Sequence, residues 1–378
     1  MSKWSSDTLG NLCNLITDGK HGDCVNEDDS GYYFISAKDV NNGRVSYENA
    51  RQIIESDFSE THRRTDLQPG DILLTNSGTI GRLAIVDDDE KTAKTTLQKS
   101  VAVLKPNKDR ILSSFLYYSL AANTTQLINA AGGAAQKNLL LGDLRRLSVL
   151  APSLAVQHDI ASILSTYDDL IENNRRRMAL LEEAARQLYQ EWFVRLRFPG
   201  REHIRIVDGV PEGWEREKLG EHLTLNYGKA LKADNRVDGP YPVYGSSGEV
   251  GTHEKALVPG PAIIVGRKGN VGSVYWSWKD CYPIDTVYYI NAETSSLYLY
   301  YALKNMHFIS TDVAVPGLNR DFAYSRELLL PTANILRLFH EIGTPIHEQL
   351  YKLEEMNQKL RAARDLLLPK LMSGEIAV

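Results

Sequence analysis

Two glycine-framed loops hold the side chains best suited to chemistry. Asn76 and Ser77 lead into Gly78, Thr79 and Gly81, and Arg82 follows. Arg267 and Lys268 lead into Gly269, Asn270 and Gly272. Glycines let backbone N–H groups approach a phosphate. Arginine and lysine supply charge or read guanine edges, and amides and hydroxyls suit other base edges. A solvated hairpin would carry the same residue types, but recurrence at one place in both halves of the chain favours a binding role. A second polar stretch holds Ser36, Lys38, Asp39, Asn41, Asn42 and Arg44; Tyr241-Pro-Val-Tyr-Gly-Ser-Ser-Gly, with Tyr244, Ser246 and Ser247, is its counterpart. A third is Gln136-Lys137-Asn138, echoed loosely by Leu318-Asn319-Arg320; these residues either contact a nucleic-acid backbone or cap turns.

Bond-breaking chemistry has no comparable motif. The sequence lacks a Walker-type phosphate loop, a dinucleotide-binding glycine motif and the tetrapeptides of adenine methylation. It also lacks zinc-protease and serine-hydrolase signatures. Asp285 follows Pro283-Ile284 without the Glu-x-Lys partner of a nuclease core, so it reads as structural. His340 and His347 are expected at the surface or seam edge of a helix rather than on a metal. No metal and no cofactor is expected. Cys13, Cys24 and Cys281 have neither C-x-x-C nor metal spacing, which suits reduced thiols in a cytoplasmic protein. No secretory leader and no apolar run of about 18 residues is apparent, so no membrane partner is expected. Net charge is −5 over 378 residues. Residues 1–150 carry 17 basic against 19 acidic groups, and residues 199–332 carry 14 against 16. Any DNA binding therefore rests on local clusters, with partners supplying further positive charge.

The elements that position these loops occur twice. Trp4 precedes Leu9-Gly10 as Trp214 precedes Leu219-Gly220. Pro69-Gly70 and Pro259-Gly260 each open an apolar run into a Gly-x-x-Gly loop. Leu116-Tyr117-Tyr118 recurs as Leu299-Tyr300-Tyr301, and Leu150-Ala151-Pro152 as Leu329-Leu330-Pro331. Short apolar segments at 72–75, 83–86, 262–265 and 273–276, bounded by turn residues, predict paired strands. Segments 115–120 and 298–303 predict short helices closing each core. The organisation expected is module 1–150, helix 151–198, module 199–332 and helix 333–378. The fold class is mixed α/β: two strand-rich modules in tandem, each followed by a long helix.

After Pro152 the pattern predicts a short amphipathic helix, then a fresh start at Ser165-Thr-Tyr-Asp168. In the second copy Thr344-Pro345 marks the matching start. Tyr167, Ile171, Asn174, Met178, Leu181, Ala185, Leu188 and Trp192 fall at alternating spacings of four and three. Ile346, Leu350, Leu353, Asn357, Leu360, Arg364, Leu367 and Leu371 repeat the pattern. Each is a heptad seam, and the two are expected to pair as an antiparallel coiled coil with Asn174 opposite Arg364. The seam is ~38 Å long, or ~11 base pairs of DNA.

Over essentially its whole length the chain resembles the specificity subunit of type I restriction–modification systems. The resemblance rests on the duplication and on several strings. They are Pro-Gly-Asp-Ile-Leu-Leu-Thr-Asn-Ser-Gly-Thr-Ile-Gly from Pro69, Gln-Lys-Asn-Leu from Gln136, and the helical run from Ile171 to Phe193. Pro-Val-Tyr-Gly-Ser-Ser-Gly, Gly-Leu-Asn-Arg and the terminal Leu-Leu-Pro-Lys-Leu-Met-Ser-Gly carry it in the second half. It implies two target-recognition domains, each reading half of a split, asymmetric site in double-stranded DNA. The helices would be the spacer. Two methyltransferase subunits would dock to methylate adenines, restriction (motor–nuclease) subunits would join them, and the chain itself would catalyse nothing. The alternatives are a stand-alone DNA-modifying enzyme with divergent motifs and a coiled-coil protein–protein adaptor.

Overall fold

Ile72–Thr75 is buried along its whole length, and the reason is its place in a sheet covered on both faces. Side chains of a strand alternate between faces. Ile72 and Leu74 enter one core with Ala102, Leu104, Phe115 and Leu116, while Leu73 enters another with Val40, Ala84, Val101 and Val103. A strand buried on both faces reads as a continuous apolar run, which is what made it visible in sequence. The computed structural model describes residues 4–132, 137–306, 308 and 317–378. It divides into two units, Met1–Asn173 with Asn357–Val378, and Asn174–Met356.

Unit 1 contains a four-stranded antiparallel sheet in the order Cys13–Asp18, Val101–Pro106, Ile72–Thr75, Leu83–Ile85. Beside it, Tyr33–Ile35 pairs parallel with Thr95–Leu97 and antiparallel with Arg51–Gln52. Ser5–Thr8 pairs antiparallel with Ser148–Ala151. Helix Ser113–Ala122 covers one face of the large sheet.

Unit 2 repeats the design. Its four-stranded sheet runs Asn226–Tyr227, Val287–Ile290, Ala262–Gly266, Val274–Ser277. Tyr241–Gly245 pairs parallel with Tyr282–Pro283 and antiparallel with Gly248–His253, and Glu215–Lys218 pairs with Glu327–Leu330. Ile263 and Val265 face one core, Ala262 and Ile264 the other. Helix Leu297–Asn305 matches Ser113–Ala122. The repeated Leu-Gly pair has a steric cause: a Cβ on Gly220 would lie 2.7 Å from Tyr324 Cβ, and one on Gly10 would lie 3.3 Å from the Arg145 carbonyl oxygen. Both glycines lie in a short helical turn, Leu9–Leu12 or Leu219–Glu221, and let it pass close to the short helix that precedes the closing strand.

Each long helix is a single element, which corrects both starts inferred from sequence. The first runs Leu154–Tyr189 without a break at Ser165 and continues as one π turn, Gln190–Val194. The Ser165 and Thr166 hydroxyls donate back to the Ser162 carbonyl at 3.2 and 2.8 Å, so they find acceptors inside the helix instead of capping a new one. The second runs Ala333–Ser373 straight through Pro345. Proline there removes one backbone donor, and the buried residues on either side, Phe339, His347 and Leu350, hold the helix together. The first helical segment gives way to Leu196 and Gly200 in the left-handed region, and the second ends at left-handed Gly374.

In unit 1, Ile160, Ala161 and Leu164 share a core with Leu371 and Met372, and Asp168 ion-pairs with Arg364. One sequence rises as the other falls, so the helices run antiparallel. In unit 2, Ala185, Tyr189, Trp192 and Phe193 share a core with Ile335 and Phe339. All the seam positions are shielded. Ile171, Asn174, Trp192, Leu350 and Leu353 are buried, and Tyr167, Met178, Leu181, Leu188, Ile346, Leu360, Arg364 and Leu367 are half-buried. The register differs from the expected one: Arg364 bonds Asp168 rather than standing at the level of Asn174. A carboxylate satisfies the guanidinium better than an amide can.

Candidate nucleic-acid interface

The two Gly-x-x-Gly loops are superimposable in their hydrogen bonding. Gly81 N–H donates to Thr75 O at 3.0 Å, and Gly272 N–H donates to Gly266 O at 2.9 Å. Gly78, Gly81, Gly269 and Gly272 all have φ between 74° and 93°, a region costly for other residues. The third polar segment docks on each loop through the same bond. Leu139 N–H donates to Asn76 O and Leu318 N–H to Arg267 O, both at 2.8 Å. Ser77 bridges Asn138, and Lys268 bridges Gly317. The structural counterpart of Asn138-Leu139 is therefore Gly317-Leu318, three residues earlier than the sequence suggested. Gln136 lies outside the described residues.

In unit 1 the loop thus gathers Ser77, Thr79, Lys137 and Asn138, of which Thr79, Lys137 and Asn138 are exposed. Asn76 is 7% exposed, its side chain enclosed beneath the loop, and its Oδ1 has no acceptor role filled. Arg82 donates to Ala37 O at 3.3 Å, which ties the 36–44 stretch to the loop. Within that stretch Ser36 Oγ donates to Asp39 at 2.8 Å and the Asn41 amide donates to Lys38 O. Those side chains shape the turn. Lys38 stays exposed. Arg44 lies 4.0 Å from Asp87 and 3.9 Å from Glu172, which balances much of its charge.

In unit 2, Ser246 O accepts from Ser273 Oγ at 2.7 Å, bringing the 245–248 turn against the 267–272 loop. Ser247, Lys268, Asn270, Asn319 and Arg320 are exposed around it. Tyr244 turns away: it packs on the Val258–Ile264–Cys281 core, and burial pushes its hydroxyl up to about 12. Asn319 is a helix cap, its Oδ1 accepting from the N–H groups of Asp321 and Phe322 at 2.8 and 3.1 Å. Arg267 and Arg320 both stack on Tyr227, a residue that sequence reasoning missed. A second missed echo is Gly19-Lys20 with Gly228-Lys229: Lys20 N–H donates to Leu97 O, and Lys229 N–H donates to Pro283 O. Lys20 is neutralised by Asp57 and Glu60, each at 2.9 Å, whereas Lys229 is exposed.

Other chemistry is sparse. Cys13, Cys24 and Cys281 are buried, free thiols, and burial raises the pKa of each. His347 is buried, contrary to the surface or edge position expected. Among the described residues, Glu217, Glu221 and His222 bring possible ligand atoms within 4.8 Å. His222 and Glu217 already share a hydrogen bond. Among the described residues no helix is long and apolar enough to cross a membrane.

Comparison with known proteins adds lineage to this geometry. The family described as "Type I restriction modification DNA specificity domain" matches residues 1–183 and 211–332. The type I restriction enzyme MjaIX specificity subunit of Methanocaldococcus jannaschii is 27% identical, over 91% of this chain and 87% of that one. The HindI specificity subunit of Haemophilus influenzae is 24% identical, over 78% and 84%. The crystal structure of the type I restriction–modification S subunit from M. genitalium has the same fold. Its TM-score is 0.61 at 17% identity, over 98% of this chain and 96% of that one.

Proposed function

The chain belongs to the type I restriction modification DNA specificity family, and on that premise we propose that it is the sequence-reading, non-catalytic subunit of a type I complex. It recognises a bipartite, asymmetric DNA site. It positions two adenine-N6 methyltransferase subunits and the restriction subunits that join them. The observation that carries this reading is the repeated loop: one strand order and one pair of backbone bonds present two chemically different polar surfaces. Equal scaffolds with unequal side chains suit two different half-sites.

On this reading Ser77, Thr79, Arg82, Lys137 and Asn138 face one half-site, with Ser36, Lys38, Asn41 and Arg44 at its margin. Ser246, Ser247, Arg267, Lys268, Asn270 and Arg320 face the other. Amides and hydroxyls meet base edges and lysines meet phosphates. The long helices act as the spacer that sets the gap between half-sites. The protein works in the cytoplasm, beside the DNA it marks.

The test is a methylome. The chain is co-expressed with its methyltransferase subunit in a host without adenine methylation, and N6-methyladenine is mapped by long-read sequencing. The expected result is a new motif of two short half-sites around a fixed gap, present only with both proteins. A soluble, co-purifying complex that methylates nothing would refute the reading.

A further inference from the structure

Two guanidinium groups share one aromatic ring in unit 2. The guanidinium carbon of Arg267 lies 5.1 Å from the Tyr227 ring centroid, and that of Arg320 lies 5.4 Å from the same centroid. Arg267 also lies 5.8 Å from the Tyr288 ring. The Tyr288 hydroxyl donates to Leu318 O at 3.1 Å and so fixes the backbone from which Arg320 departs. Tyr227 is 52% exposed, which puts the stack at the surface. Among the described residues neither arginine pairs with a carboxylate. Arg267 donates through Nη2 to Asp285 O at 3.0 Å, and its buried Nε–H has no acceptor. Two like charges repel. The ring quadrupole holds their planes in place without neutralising them. Such an arrangement is left short of acceptors.

We propose that Tyr227 presets Arg267 and Arg320 as a fork that reads guanine in the major groove of the half-site facing unit 2. The inference rests on the specificity-subunit reading above; it adds the base and the residue that orients its readers. Guanine offers two acceptors, O6 and N7, on one edge, and the planar arginine fork matches them. The same fork can clamp a phosphate, but the exposed lysines Lys229 and Lys268 already offer phosphate contacts. Among the described residues of unit 1 no ring carries two arginines. Asp18 stands where Tyr227 stands in the repeat, and it pairs with Arg64. The guanine requirement therefore belongs to one half-site only.

The experiment uses the full chain with its methyltransferase subunits and reads the methylated motif for wild type, Arg267→Gln, Arg320→Gln, Arg320→Lys, Tyr227→Ala and Tyr227→Phe. Both glutamine exchanges, Arg320→Lys and Tyr227→Ala are expected to relax a guanine at one half-site by roughly fivefold or more. The other half-site and the gap stay unchanged. Tyr227→Phe keeps the ring and the wild-type motif. Arg320→Lys keeps charge without the fork, so it answers the question even if a glutamine variant folds poorly. An unchanged motif in the arginine variants overturns the inference alone. So does uniform weakening of methylation with the motif intact, which assigns the pair to phosphates. A wild-type chain that specifies no gapped motif overturns this inference together with the reading it rests on.

Discussion

The Tyr301 hydroxyl lies 2.7 Å from Nε2 of His347, with both residues buried. In the other unit the equivalent tyrosine, Tyr118, donates to Asp168 at 2.7 Å. Each tyrosine sits on the short helix that closes a module, and each partner sits on a long helix. The duplication has kept the tie and changed the chemistry of its far end. Burial first, and the nearby Lys304 charge second, lower the His347 pKa from 6.5 to about 4.

That depression makes unit 2 acid-sensitive. A histidine held neutral stabilises the fold fully above its ordinary pKa, and the contribution disappears as pH falls toward the folded value. Between pH 7 and pH 4.5 the loss is roughly 2–3 kcal/mol. His347→Gln keeps a partner for Tyr301 and cannot titrate, so its urea midpoint should fall less over that interval. An equal fall in both proteins would remove His347 from the account.

Asp168 serves two partners, Tyr118 and Arg364. Asp168→Ala strips both and should cost about 1–3 kcal/mol, whereas Tyr118→Phe should cost about 1. The Tyr118→Phe/Asp168→Ala double variant should be less destabilised than the sum, since the bond is lost only once. Strict additivity in a denaturation cycle would show that the Tyr118–Asp168 bond contributes nothing.

Pro345 stands exposed inside the second long helix. Pro345→Ala restores a backbone donor and should raise stability, by up to about 3 kcal/mol. Calorimetry showing a lower melting temperature would mean that the helix needs the proline's geometry.

Deleting four residues from each long helix shortens the spacer by ~6 Å, or about two base pairs. The methylated motif should keep both half-sites and lose about two base pairs from the gap. An active variant with the original gap would end the spacer reading.

The strands at 72–75 and 262–266 and the helices at 113–122 and 297–305 were legible because burial on both sheet faces, or under a sheet, leaves dense apolar runs between turn residues. The continuity of the long helices was not. Ser165 and Pro345 carry genuine local start signals, and packing of the flanking apolar residues overrides them. The matching of Asn138 with Gly317 was hidden because backbone bonds, not side-chain identity, set that register. Tyr227 was invisible for a related reason. It lies on a two-residue strand, and both of its arginines come from distant parts of the chain.

The division of the chain has a consequence for biosynthesis. Unit 2 is one continuous stretch, Asn174–Met356, while unit 1 needs Asn357–Val378 to supply Leu371 and Met372 to its core. Translating unit 2 takes roughly 10–40 s at about 5–20 residues per second. The first module emerges from the ribosome first and waits that long for the helical residues that complete its core.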